Sequence, residues 1–74
     1  MALRAVLANN LKRLRNERGL SQEALADLAG IDRTYVSSLE RKRYSATVDM
    51  LDRLAVALKV PASALVENDS QVGD

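Results

Sequence analysis

An all-α fold of about five helices in a single small domain is predicted by three observations. Leucines and alanines recur at helical spacing along most of the chain; strand-like alternation, internal repeats and low-complexity tracts are absent; and a glycine, a proline or a polar capping residue interrupts the pattern between segments. The chain has 74 residues, enough for one domain. At that size folding buries only about 60–65% of the unfolded surface, so dimerisation is expected on stability grounds alone.

Leu3, Leu7, Leu11 and Leu14 recur at steps of four, four and three, which places an apolar stripe on a first helix over 3–18 that Gly19 ends. Arg4, Lys12, Arg13 and Arg18 decorate it. A basic amphipathic N-terminus also suits a transit peptide or a membrane-surface helix, but Glu17 and Gly19 lead into another well-formed helix rather than a processing site. Ser21 is a fit N-cap for the second helix, and Glu23 in its first turn complements the positive end of the helix dipole. Leu25, Ala26, Leu28 and Ala29 are expected on its inner face. Gly30 sits where the chain leaves this helix, a position that favours the left-handed conformation.

Asp32 caps the third helix, Arg33 to about Arg41, on which Val36 and Leu39 point one way and Arg33, Thr34, Ser37, Ser38 and Arg41 the other. A polar connection from Arg41 to Ala46 leads to Thr47, the N-cap of a fourth helix marked by Val48, Leu51, Leu54, Ala55 and Leu58. After Pro61, Ala62 to Val66 form a short fifth helix carrying Leu65. Residues 1–66 are therefore expected to form one domain and 67–74 a polar, disordered tail.

Composition excludes several function classes. With no cysteine and no histidine, disulfides, thiolate chemistry, zinc fingers and the commonest metal ligand are ruled out, and no metal or cofactor is expected. Paired carboxylates and a phosphate-binding glycine loop are also missing, so no nucleophile has a base and an enzyme is not expected. No apolar run approaches the roughly 18–20 residues of a membrane span, and the N-terminus lacks a signal peptide, which makes the cytoplasm the expected address. Eleven Lys and Arg stand against ten Asp and Glu, a net charge of only +1, yet the signs are segregated: +4 over residues 1–18, −3 over 19–32, +3 over 33–43 and −3 over 44–74. Phosphate attraction depends on local charge, so a basic stripe beside acidic surface still suits nucleic acid.

The centre of the chain carries the most specific signal. A helix-turn-helix needs a small residue where the second helix crosses the first, a glycine in the turn and branched apolar anchors in the second helix; Ala26, Gly30, Val36 and Leu39 supply these in order. With Val36 and Leu39 buried, Arg33, Thr34, Ser37 and Ser38 project from the half of the helix that reaches base edges in a major groove. Arg33 can donate two parallel hydrogen bonds to guanine, and the three short hydroxyl residues permit close approach. Gln22, at the start of the second helix, is expected to meet a phosphate, as are Arg41, Lys42 and Arg43 beyond the third. Tyr35 suits either the edge of the core or a phosphate contact through its hydroxyl. Glu40 is an acid in a basic stretch and would repel DNA if exposed, so it is expected to turn inward to a cation, with Arg15 the candidate.

These residues resemble the Cro and lambda-repressor type helix-turn-helix family, from Leu11 to about Leu65. The matching residues are L-K-R-L-R-N-E-R-G-L-S-Q-E-A-L-A, Gly30, Val36, L-E-R and the leucines of the fourth helix. The resemblance implies a lambda repressor-like fold, an Arg15–Glu40 ion pair, base contacts from positions 33, 34, 37 and 38, and a phosphate contact from Gln22. Asp32 to Ser37, D-R-T-Y-V-S, is closer still to the controller proteins of restriction-modification systems, small dimers that activate or repress promoters by binding palindromic repeats. Lys42 and Lys59 stand where relatives commonly have a helix-ending glycine, and Tyr44-Ser45 where controller proteins often have Arg-Asn. The third helix is accordingly expected to run longer or end differently.

The function expected is a sequence-specific transcriptional regulator bound as a homodimer to palindromic DNA, with half-sites about one helical turn apart. The dimer surface is placed on Val60, Ala62, Leu65 and Val66, which exceed what so small a core can absorb. Double-stranded DNA and a second copy of the chain are the expected partners, RNA polymerase is a further candidate, and no membrane is involved. The alternative is a helical protein–protein module, such as an antitoxin-like partner, that uses the same groove for another chain.

Overall fold

Four helices of this protein end in one backbone turn, built twice on glycine and twice on lysine. The computed structural model describes residues 3–68, with α1 at Leu3–Glu17, α2 at Gln22–Ala29, α3 at Arg33–Glu40, α4 at Val48–Leu58 and α5 at Ser63–Val66. After each of α1 to α4 one residue takes a left-handed conformation: Gly19 (φ 66°), Gly30 (φ 70°), Lys42 (φ 66°) and Lys59 (φ 60°). The next N–H then reaches back to a carbonyl five residues earlier: Leu20 to Arg15 (3.1 Å), Ile31 to Ala26 (2.9 Å), Arg43 to Ser38 (2.9 Å) and Val60 to Ala55 (3.0 Å). The expectation that the third helix runs longer or ends differently is therefore corrected: it stops at Glu40 in the same turn that closes the helices ended by glycine. Lys42 accepts the glycine conformation, at a cost of about 1 kcal/mol, because the returning hydrogen bonds satisfy the final carbonyls.

The starts are capped as the residue types require. Ser21 Oγ accepts from the Ala24 N–H (3.0 Å), Asp32 Oδ1 from Thr34 (2.8 Å) and Thr47 Oγ1 from Met50 (3.1 Å).

The core is aliphatic throughout. Leu7, Leu11 and Leu14 of α1 meet Leu25, Ala26 and Ala29 of α2, Val36 and Leu39 of α3, Leu54, Ala55 and Leu58 of α4, and Leu65 of α5. Leu28, expected on the inner face of its helix, lies outside at 62% exposed, and Val48, one of the apolar residues that mark the fourth helix, is 82% exposed. Leu28 falls about 60° beyond the arc that Leu25, Ala29 and Ala26 present to the core. Val48 opens the first turn of α4, ahead of the point where that helix meets the core at Leu51.

Asn10 is the buried polar side chain among the described residues, and it explains how the shortest helix is held. Its Nδ2 donates to the Leu65 carbonyl (3.0 Å) and the Glu67 carbonyl (2.7 Å), docking α5 onto α1. Leu65 is consequently fully enclosed, which corrects its placement in a dimer surface: a side chain consumed by its own core cannot also face a partner. Of the tail expected over 67–74, only Glu67 and Asn68 fall within the described residues.

Candidate nucleic-acid interface

The interface is built on α3, whose two faces separate because Val36 and Leu39 are fully buried against α1 and α2. On the opposite side Arg33 and Thr34 are exposed, Ser37 and Ser38 are half-buried, and Arg41 is exposed. Thr34 has a second role at this end of the helix. Its backbone N–H and then its hydroxyl bond the Asp32 carboxylate and hold its pKa below the usual carboxylate range, fixing the cap that sets where the outward face begins.

The turn between α2 and α3 is braced from α4. Arg53 Nη1 donates to the Gly30 carbonyl (3.2 Å), a contact between residues 23 apart for which no spacing in the sequence is a signal. Opposite, the end of α3 is pinned to α1 and α2 by a charged cluster. Arg15 Nε and Nη2 donate to the two Glu40 carboxylate oxygens at 2.7 and 3.0 Å, and Arg15 Nη1 donates to the Leu20 carbonyl at 2.8 Å. The two side chains are only 11% and 6% exposed, so Glu40 is turned away from the basic face. Its carboxylate bonds the guanidinium and raises the Arg15 pKa further above its ordinary value.

Gln22 joins this cluster. Its Nε2 donates to Glu40 Oε1 at 3.0 Å, which alters the expectation of a side chain free to meet phosphate. One amide hydrogen is engaged inside the protein, leaving the other for a ligand.

Beyond α3, Arg41, Lys42 and Arg43 are all exposed and form no ion pair among the described residues. Tyr35 is half-buried, with its hydroxyl donating weakly to the Ser45 carbonyl at 3.5 Å. Its ring packs against Tyr44, with centroids 5.9 Å apart and planes tilted by 36°. Arg4 Nε donates to Ser45 Oγ at 3.0 Å, tying the same connection to α1 across 41 residues. The sequence gives no sign of the contacts made by Arg4, Tyr44 and Arg53, because each acts through a partner that only the folded chain brings near. Asn10 did leave a trace: it occupies the core-facing register three residues after Leu7 and four before Leu14.

Of the residues expected at a dimer surface, Val60 is half-buried against the core, while Ala62 and Val66 are exposed; Val56 on α4 is exposed as well. No helix among the described residues is long and apolar enough to cross a membrane.

A family model described as helix-turn-helix matches residues 11–65. A Neisseria meningitidis protein described as a hypothetical transcription factor is 48% identical over 64 residues, which is 86% of this chain and 60% of that protein. This chain therefore spans less than two thirds of that relative's length. The crystal structure of the restriction-modification controller protein C.AhdI from Aeromonas hydrophila superposes with a TM-score of 0.84 at 37% identity, covering 88% of this chain and 98% of the other. The controller protein C.Esp1396I, solved as a tetramer in complex with its natural 35 base-pair operator, superposes with a TM-score of 0.80 at 31% identity, covering 88% and 86%.

Proposed function

The chain belongs to the helix-turn-helix family, and from that premise we propose that it is a sequence-specific transcriptional regulator that binds palindromic operator DNA as a homodimer, with α3 in the major groove. One observation carries the reading. Burial of Val36 and Leu39 turns the other side of α3 outward, with Arg33 and Thr34 exposed and Ser37 and Ser38 partly exposed, and three exposed cations follow it.

In this reading Arg33 donates to O6 and N7 of a guanine, and Thr34, Ser37 and Ser38 contact neighbouring base edges. Arg41, Lys42, Arg43, the remaining amide hydrogen of Gln22 and the Tyr35 hydroxyl, which gives up its weak bond to the Ser45 carbonyl, contact phosphates and set the docking register. The dimer forms through Val60, Ala62 and Val66, with Val56 taking the place proposed earlier for Leu65. The likeness to a controller protein that assembles as a tetramer on a 35 base-pair operator supports a pair of half-sites for each dimer. Controller-type regulation in the cytoplasm, with RNA polymerase as a partner at activated promoters, is the finer form of the proposal.

Selection of bound duplexes from a random pool tests it. Two inverted half-sites about one helical turn apart are expected, bound with an affinity that falls steeply with salt. Absence of salt-dependent binding to every duplex would overturn the reading in favour of a protein–protein module.

A further inference from the structure

The chain contains two aromatic residues, Tyr35 and Tyr44, and no Phe or Trp. Neither belongs to the fully buried core, which is made of Leu, Val and Ala. They pack on each other instead, at 5.9 Å, where α3 runs into the basic connection Arg41–Arg43. Tyr35 reaches the core edge with part of its ring, whereas Tyr44 remains 54% exposed. An aromatic ring buries a large area when it packs, so leaving the larger part of one in water forgoes a stabilisation the small core needs.

The surrounding backbone is held firmly enough to make the placement definite. Lys42 takes the left-handed turn, the Arg43 N–H returns to the Ser38 carbonyl at 2.9 Å, and Ser45 is held by Arg4, whose Nε donates to its hydroxyl at 3.0 Å. Tyr44 thus stands between two anchored residues, with its ring against Tyr35 and more than half of its surface in water, directly after three cations.

Resting on the DNA-binding reading above, we infer that Tyr44 is a further DNA-contacting residue, its ring packing on a deoxyribose of the backbone that Arg41, Lys42 and Arg43 approach and its hydroxyl donating to the adjacent phosphate. Tyr35 is the buttress that sets the ring's tilt. The contact is uncharged, so it adds affinity without releasing counterions, and it touches sugar and phosphate, so it does not read sequence.

The test measures binding of the wild-type chain, Tyr44→Ala and Tyr44→Phe to two duplexes of equal length: one selected by the wild-type protein from a random pool, and one of random sequence. Tyr44→Ala is expected to bind both about tenfold more weakly with an unchanged dependence on salt. Tyr44→Phe retains the ring and loses only the hydroxyl contact, so it is expected to lie between the two. Because the chain has no Trp, tyrosine emission reports on this pair alone; duplex should alter the wild-type emission, and the change should shrink in Tyr44→Phe. Equal thermal midpoints for the three proteins show that the fold is intact, as expected for an exposed ring. Tyr44→Ala binding both duplexes as tightly as wild type overturns the inference, and a loss confined to the selected duplex overturns the backbone assignment in favour of a base contact. If the wild-type chain binds neither duplex, the DNA reading itself has failed and this inference falls with it, a result distinct from the other two.

Discussion

Two groups of polar side chains flank the end of α3, alike in carrying arginine and opposite in circumstance. On the inner side Arg15, Gln22 and Glu40 hydrogen-bond one another and the Leu20 carbonyl, in a cluster whose ion pair is 11% and 6% exposed. On the outer side Arg41, Lys42 and Arg43 remain in water without an acidic partner among the described residues. The inner charges hold three helices in register. The outer charges are not neutralised by an ion pair among the described residues, so their local field extends into solvent. A basic residue near a recognition helix is therefore not one kind of thing; its role follows from whether the fold supplies its counter-charge.

The largest expected effect breaks the inner cluster. Arg15→Ala leaves the Glu40 carboxylate nearly buried without its cation, and should destabilise folding by about 3 kcal/mol, the lower end for a buried pair because both side chains keep an edge in water. Denaturant unfolding checks this, and a change under about 1 kcal/mol would erase the distinction between the two sides.

Next in size, Arg33→Ala should leave the thermal midpoint unchanged while weakening operator binding by roughly 1–3 kcal/mol and relaxing preference at one base pair. Titrations against operator variants substituted one base at a time measure it. Equal losses on operator and random duplex would show that Arg33 belongs with the phosphate-contacting cations.

The two lysines in left-handed turns sharpen the comparison further. Lys59→Gly and Lys42→Gly should each stabilise the fold by about 0.5–1 kcal/mol, since glycine takes φ near +60° without a Cβ penalty. Only Lys42→Gly should also weaken DNA binding and lower the salt slope by about one unit, because only Lys42 lies in the outer group. Parallel melting and salt-titration experiments separate the two contributions.

The smallest effect is at the Asp32 cap. Its pKa is lowered in the folded chain by the Thr34 N–H and hydroxyl, so its contribution is present above the unfolded pKa and is lost as pH falls through the folded value. Melting curves from neutral pH down to about pH 3 should show a loss of midpoint that is slightly shallower in Asp32→Asn, which keeps an N-cap acceptor but cannot titrate.

Much of this was legible along the chain. Ser21, Asp32 and Thr47 cap their helices as their side-chain oxygens require, and Gly30 ends α2, because caps and turns are contacts within a few residues. Leu28 lies outside the core, and Val48 with it, for a related reason: periodicity identifies an apolar face, but not how wide a part of it the neighbours cover. The engaged amide of Gln22 and the braces from Arg53 and Arg4 were illegible, being contacts 18, 23 and 41 residues apart that depend on how helices cross.

Helix number, helix polarity and the two-sided character of α3 are written in the order of residues, since they depend on hydrogen bonds and side-chain spacing within single turns. Which charges are spent inside, which stay in water, and that Leu65 serves the core were settled when the helices packed. Burial is a property of the assembled chain: desolvation makes Arg15 and Glu40 a pair, and the absence of a covering element leaves Arg41, Lys42 and Arg43 in water.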